Sequence, residues 1–237
     1  MAEASGRRRL LWPTLIAAAG VAVLAGLGTW QVHRLHWKEA LIASMEARGA
    51  EPPLEGVPFG GDPEAIEYRR IRVTGSFSHD KEMYLQSRVR NGTAGLHVVT
   101  PLVLGERGTV LVDRGWVPPE KGDPETRPEG QVEGPVIVEG VIRLDQEPGP
   151  FTPDNRPDAN QWYRMDTRAM GAQAGFDVVP FYIVATTGPA PGGFPIADGP
   201  AGVLLVNNHL QYALTWYGLA VALIAVYLVF AFRKPKT

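Results

Sequence analysis

Leu210 to Phe232 reads LQYALTWYGLAVALIAVYLVFAF, a run without one charge. A helix rises about 1.5 Å per residue, so this run is long enough to cross a hydrocarbon core of about 30 Å. Leu10 to Trp30, LLWPTLIAAAGVAVLAGLGTW, is equally charge-free. Two spans near the ends of 237 residues leave a middle domain of modest size. The first span follows Arg7, Arg8 and Arg9 and resembles a secretory signal in that respect. Its apolar part exceeds the ~7–15 residues of a signal core, and no small-residue cleavage site follows it, so an uncleaved anchor is expected.

Basic flanks predict orientation. Arg7 to Arg9 precede the first span, and Arg233, Lys234 and Lys236 follow the second, which places both termini in the cytoplasm and the domain outside. The expected organisation is a cytoplasmic N-terminus (1–9), a first transmembrane helix (10–30), a helical extension (31–48), a β-rich extracytoplasmic domain (49–206), a second transmembrane helix (207–232) and a cytoplasmic C-terminus (233–237). Without the six flanking basic residues and Glu3, the chain carries 17 basic and 24 acidic side chains, a net of −7. An acidic translocated domain excludes nucleic acid as its partner. There is no cysteine, which excludes disulfides, thiolate metal sites and covalent c-type haem attachment.

After Trp30, QVHRLHWKEALIASMEARG keeps strong helix formers, with apolar Leu35, Leu41, Ile42 and Met45, and predicts a helix to about Arg48. Gly49 and Pro52-Pro53 end it. From Tyr68 the texture changes to short β-branched runs bounded by glycine or proline: YRRIRVTGSF, EMYLQS, LHVVTPLVL, TVLVDRGWV, VIVEGVIRL, NQWYRMD, VVPFYIV and GVLLV. Their alternation predicts half-buried strands of an antiparallel sheet, curled into a barrel or sandwich. One short helix is expected over Thr167 to Ala174, with Asp166 as N-cap. Three long proline-rich loops, Pro118 to Pro135, Gln146 to Asn160 and Thr186 to Pro200, are either ligand-binding segments or solvated connections, and composition favours the second.

No hydrolase elbow, HExxH, Walker loop or reactive cysteine occurs, and the singly scattered carboxylates read as solvated surface. What stands out is His209 at the threshold of the second span, behind Asn207 and Asn208, either of which can cap the helix. At about 100° per residue, Tyr212, Ala213 and Trp216 share its face. Two readings stand. One is an interfacial histidine hydrogen-bonded to water within an aromatic belt. The other is an axial ligand to haem iron, held against an apolar wall. On the continuing first helix, Trp30, His33, Arg34 and Trp37 fall within one arc of about 100°. Arg34 either snorkels to the interface or pairs with a haem propionate.

The residues also resemble a known family. LGTWQVHRLHWK resembles the LGxWQxxRxxWK pattern that ends the first span of the Surfeit-locus cytochrome oxidase assembly proteins, and VNNHLQYALTWYGLA resembles the opening of their second span. YRRIRVTGSF, GLHVVTPL, VLVDRGWVP and FTPDNRPDANQWYRMD fit between them in the family's order, so the likeness covers nearly the whole chain. It implies an inner-membrane factor, here of a bacterial cell membrane with a periplasmic domain. Such a factor binds haem a and assists its insertion into the catalytic subunit of cytochrome c oxidase, with haem a synthase as a further partner. It implies that His209 contacts that haem. Trp30, Gln31, Arg34, Trp37 and Lys38 match the first motif; Asn207, Asn208, Tyr212, Thr215 and Trp216 match the second. His33 occupies an open position and is added as a candidate second ligand.

The expectation is a chaperone rather than an enzyme. His209 holds the iron, Arg34 the propionates, and Trp30, Trp37, Tyr212 and Trp216 the apolar faces. The alternative is a cofactor-free scaffold that stabilises an oxidase assembly intermediate through a surface around Arg114 and Trp116. In the domain, Gly115 is expected at a bulge or bend, Trp116 beneath the following prolines, Arg114 against an acidic neighbour in preference to a haem propionate, Gly75 where no side chain fits, and His97 as a satisfied sheet histidine.

Overall fold

The computed structural model describes residues 3–58, 60, 62–187, 193–197, 199 and 207–233, with side chains from residue 10 onward. The chain divides into two compact units, residues 1–44 with 205–237, and residues 45–204.

The first unit is a pair of antiparallel helices. Helix α1 runs unbroken over Glu3–Ala50 and helix α4 over His209–Phe232. Both are long and apolar enough to cross a membrane. Apolar side chains alone do not hold two helices together where the solvent is equally apolar, so such pairs rely on close backbone approach and side-chain hydrogen bonds. The seam has both. A Cβ on Gly20 would lie 2.8 Å from Leu223, and one on Gly28 2.8 Å from the Tyr217 ring. On α4, Ala213 and Ala220 are buried. Thr14 bonds Tyr227 through their hydroxyls at 2.5 Å, and Thr29 bonds Tyr217 at 3.0 Å. These pairs descend along one helix as they ascend along the other.

The second unit is β-rich. Its elements are β1 (Leu54–Glu55), α2 (Pro63–Ile66), β2 (Arg70–Phe77), β3 (Met83–Arg90), β4 (Thr93–Val103), β5 (Thr109–Val117), β6 (Pro135–Arg143), β7 (Gln161–Trp162), α3 (Thr167–Ala174) and β8 (Val178–Ala185). The sheet order is β1-β2-β6-β8-β5-β4-β3-β7, and a further β2–β4 pairing, Ser76 with Val103 and Phe77 with Leu102, closes five of these strands into a barrel. Closure removes exposed strand edges. Gly75 sits at the closing corner, where a Cβ would lie 2.5 Å from the Val103 carbonyl oxygen.

Most pairings are antiparallel, but β5 and β8 run parallel, as do the short pairs β1–β2 and β3–β7. Strand β5 is buried at all nine positions rather than half-buried. Val110 and Val112 fill the barrel with Ile71, Val73, Leu102, Val138 and Ile183. Leu111 faces the other way, against Met83, Leu85, Trp162 and Met170, because α3 and β7 cover that outer face. Helix α3 has the expected limits, with Asp166 Oδ1 accepting from Ala169 N–H at 3.0 Å. The expected strand NQWYRMD is only two residues long. Tyr163 and Arg164 instead give their N–H groups to Asn155 Oδ1 at 2.8 and 3.2 Å, which takes them out of ladder pairing. The expected strand GVLLV lies outside the described residues.

Candidate functional site

The first residue of α4 meets the middle of α1 at one polar contact. His209 Nδ1 lies 2.7 Å from Gln31 Oε1. Gln31 is buried in the seam, and His209 is half-buried. An amide oxygen can only accept, so Nδ1 carries the proton of this bond, and in the neutral ring the lone pair is then on Nε2. Among the described residues nothing bonds Nε2. Asn207 Oδ1 accepts from the His209 backbone N–H at 3.4 Å, while Asn208 occupies the cap position without a side-chain bond. Of the two asparagines, Asn207 is the one that caps.

The other sequence-derived candidates are placed as follows. Trp30 and Trp37 are exposed on α1, and the Arg34 guanidinium lies over the Trp37 ring at 3.8 Å. Among the described residues no carboxylate pairs with Arg34. Tyr212 is exposed and Trp216 half-buried on α4. Trp30, Arg34 and Trp37 therefore form one aromatic and cationic face beside the seam. His33 lies on the same arc of α1 as Trp30 and Trp37, away from the Gln31 seam. His33 follows Gln31 by two residues, a turn of about 200°, and its Nδ1 lies 3.0 Å from the Thr29 carbonyl oxygen of its own helix. Gln31 was visible in the sequence only as a motif match. The signal for its role was a polar residue at the end of an apolar span, spaced to continue the small-residue stripe of Gly20 and Gly28.

The domain corrects an expectation. Glu82 and Asp113 are buried, not solvated surface. Glu82 accepts from Arg114 at 2.9 Å, from Gln131 at 3.2 Å, and from Arg127. Burial raises the Glu82 pKa, but hydrogen bonds from His79 and Arg127 and the charges of Arg127 and Arg114 outweigh it and hold the group at about 2. Desolvation in turn lowers Arg114 to about 10. Arg114 is only 1% exposed and Trp116 only 7%, so neither side chain itself is offered to a partner. Trp116 packs on Phe194, ring centroids 6.5 Å apart. The register shift between Val98 and Val99 opposite Gly115 is the expected bulge. His97 Nδ1 lies 3.0 Å from Asp113 Oδ2, satisfied within the sheet. No group of three or more metal-ligating side chains occurs among the described residues.

The family described as the SURF1 family matches residues 18–221, a stretch that includes both ends of the Gln31–His209 contact. The chain belongs to the SURF1 family. It is 43% identical over 220 residues to Surfeit locus protein 1 of Mus musculus, covering 85% of this chain and 70% of that one. It is 42% identical over 216 residues to the Homo sapiens protein of the same name, covering 83% and 70%. A SURF1-like protein of Monosiga brevicollis is 38% identical over 246 residues, covering 99% of this chain and 92% of its own. The SURF1 match begins inside the first span and ends inside the second, and so takes in the barrel and part of each helix.

Proposed function

We propose that the chain is an assembly factor for a haem-copper cytochrome c oxidase that binds haem a at the Gln31–His209 contact and assists its insertion into the catalytic subunit. The observation that carries this reading is the 2.7 Å bond from His209 Nδ1 to Gln31 Oε1. Histidines that ligate metals characteristically give their second ring N–H to an oxygen acceptor, which fixes tautomer and ring orientation. The side chains present suit haem: a neutral imidazole, indole and phenol faces, and a guanidinium with no acidic partner among the described residues. Haem a, when bound, supplies an iron that takes one imidazole nitrogen and propionates that take a guanidinium.

His209 offers Nε2 to the iron and Gln31 holds the ring in place. Arg34, preorganised by its stacking on Trp37, offers two parallel N–H groups to a carboxylate. Trp30, Trp37, Tyr212 and Trp216 supply apolar and aromatic contact area. Haem held by a single imidazole nitrogen would bind with the moderate affinity that handover requires, whereas full enclosure would retain its cargo. The catalytic subunit and haem a synthase are the proposed partners. A bacterial inner membrane with both termini cytoplasmic is the proposed location, resting on the basic flanks.

Protein purified from cells making haem a is expected to carry a haem absorption spectrum that His209→Ala abolishes. An unchanged spectrum removes His209 from the site. A haem-free protein with intact oxidase haem content in His209→Ala cells returns the reading to a cofactor-free scaffold.

A further inference from the structure

A second site lies within the β-rich unit. A cavity of about 160 Å³ opens between the end of β3, the loop after β6, the bend after β7 and strand β8, lined among others by Arg88, Thr152, Tyr163, Arg164, Met165 and Tyr182. Three features show that it is built rather than accidental. The strand register shifts between Leu85 and Arg88, and Ser87 sits at φ +58°, a left-handed conformation rare for a residue with a side chain. Bulges of this kind re-aim the following side chain, and here they turn Arg88 to the cavity. Asn155 bonds the N–H groups of Tyr163 and Arg164 through Oδ1 and the Arg164 carbonyl through Nδ2 at 3.2 Å, which locks the opposite wall. Tyr182 is only 7% exposed, yet its hydroxyl has no hydrogen-bond partner among the described residues.

The charges decide what the cavity takes. Arg88 has no carboxylate within ion-pair distance among the described residues. Arg164 is 3.9 Å from Asp166, too far for a hydrogen bond. Glu147 is the acidic residue of the lining and is exposed at the mouth. In the lining itself Arg88 and Arg164 stand against Glu147, while Asp113, Asp145, Asp166 and the cation of Arg143 lie outside it. The Tyr182 hydroxyl is pushed up to about 12 by burial and so stays a donor. The volume is below the roughly 300–1,000 Å³ of small-molecule pockets but holds several times the ~30 Å³ share of a water. It fits one functional group rather than a macrocycle.

We propose that Arg88, Arg164 and Tyr182 form an oxyanion site that receives a carboxylate or phosphate group. Guanidinium forks match both, and the phenol adds a third donor. Phe151, 98% exposed on the loop between the lining residues Pro148 and Thr152, stands beside the mouth as an apolar contact for whatever carries that group. The site is independent of haem binding.

The test uses the full chain in detergent micelles without haem. Inorganic phosphate, the peptide acetyl-Ser-Leu-Glu-Leu-Ser-amide and its Gln counterpart are titrated while the arginine Nε–H signals are followed by NMR. Saturable shifts are expected with phosphate, with the Glu peptide, or with both. Arg88→Gln and Arg164→Gln should each weaken them at least tenfold and Tyr182→Phe several-fold, while Arg107→Gln on another face changes nothing. Response to the Glu peptide alone assigns the site to an acidic side chain of a protein partner. Response to phosphate alone assigns it to a free ion or phosphate headgroup. No saturable shift with either, equal response to the Glu and Gln peptides, or binding insensitive to both arginine changes overturns the proposal.

Discussion

Glu82 Oε1 and Arg114 Nη1 are 2.9 Å apart, and both side chains are closed off from solvent. A second buried guanidinium, Arg127, meets the same carboxylate, and its Nε donates to the Lys121 carbonyl at 2.9 Å. Arg114 also donates to the Gly130 carbonyl, and His79 Nε2 lies 3.0 Å from that of Val132. One carboxylate thus ties the proline-rich loop after β5 to the start of β3. The arrangement makes the loop part of the domain rather than a solvated connection.

Removing that carboxylate leaves two buried cations without a counter-charge. Glu82→Gln is expected to destabilise the domain by about 3–5 kcal/mol, read as a lowered unfolding midpoint in urea or on heating. Surface Glu106→Gln, at an exposed turn, should shift it by less than about 0.5 kcal/mol.

The same carboxylate sets an acid limit. Its folded pKa of about 2 lies below the ordinary 4.5, so the unfolded chain binds the proton more readily. The stabilisation from Glu82 is complete above about 4.5 and is lost as pH falls from there toward 2. Midpoints measured across that window should converge for wild type and Glu82→Gln.

Gly115 has φ +111°, and a Cβ there would press on the carbonyl of Ile196, whose backbone bridges Trp116. Gly115→Ala is expected to cost at least about 1–3 kcal/mol. Circular dichroism melting checks it, with Gly134→Ala as the comparison: equally left-handed at φ +79° but with open space around it.

On the helix seam, Gln31→Leu keeps the apolar contact but frees the His209 ring. Loss of such a supporting acceptor typically weakens metal affinity by about 10–100-fold. Titrating haem into the purified protein should show that loss, with His209 still required for what binding remains.

Gly28→Leu should act through spacing, because even its Cβ would press on the Tyr217 ring, whereas a Cβ at Gly26 on the same helix meets nothing within 4 Å. The first is expected to lower haem content as Gln31→Leu does, and the second to leave it unchanged. Absorption per protein in paired preparations measures both.

Local chemistry was legible in the order of residues. Charge-free runs of spanning length, the β-branched strand texture, the Asp166 cap and the glycines at 75 and 115 each depend on neighbours within a few positions, where helix length, ladder alternation and backbone strain act. The placement of His209 at a helix start was equally visible. What folding alone decided lies between residues far apart in the chain. Gln31 and His209 meet across the helix pair, Glu82 joins Arg114 and Arg127, β5 pairs in parallel with β8, and Arg88 shares a cavity with Arg164 and Tyr182. A carboxylate has no burial and a ring nitrogen no acceptor until the sheet closes and two helices choose their contact faces. For that reason His33, which shares an arc with Trp30 and Arg34 in the sequence, stands away from the seam in the folded chain, and Gln31 stands in it.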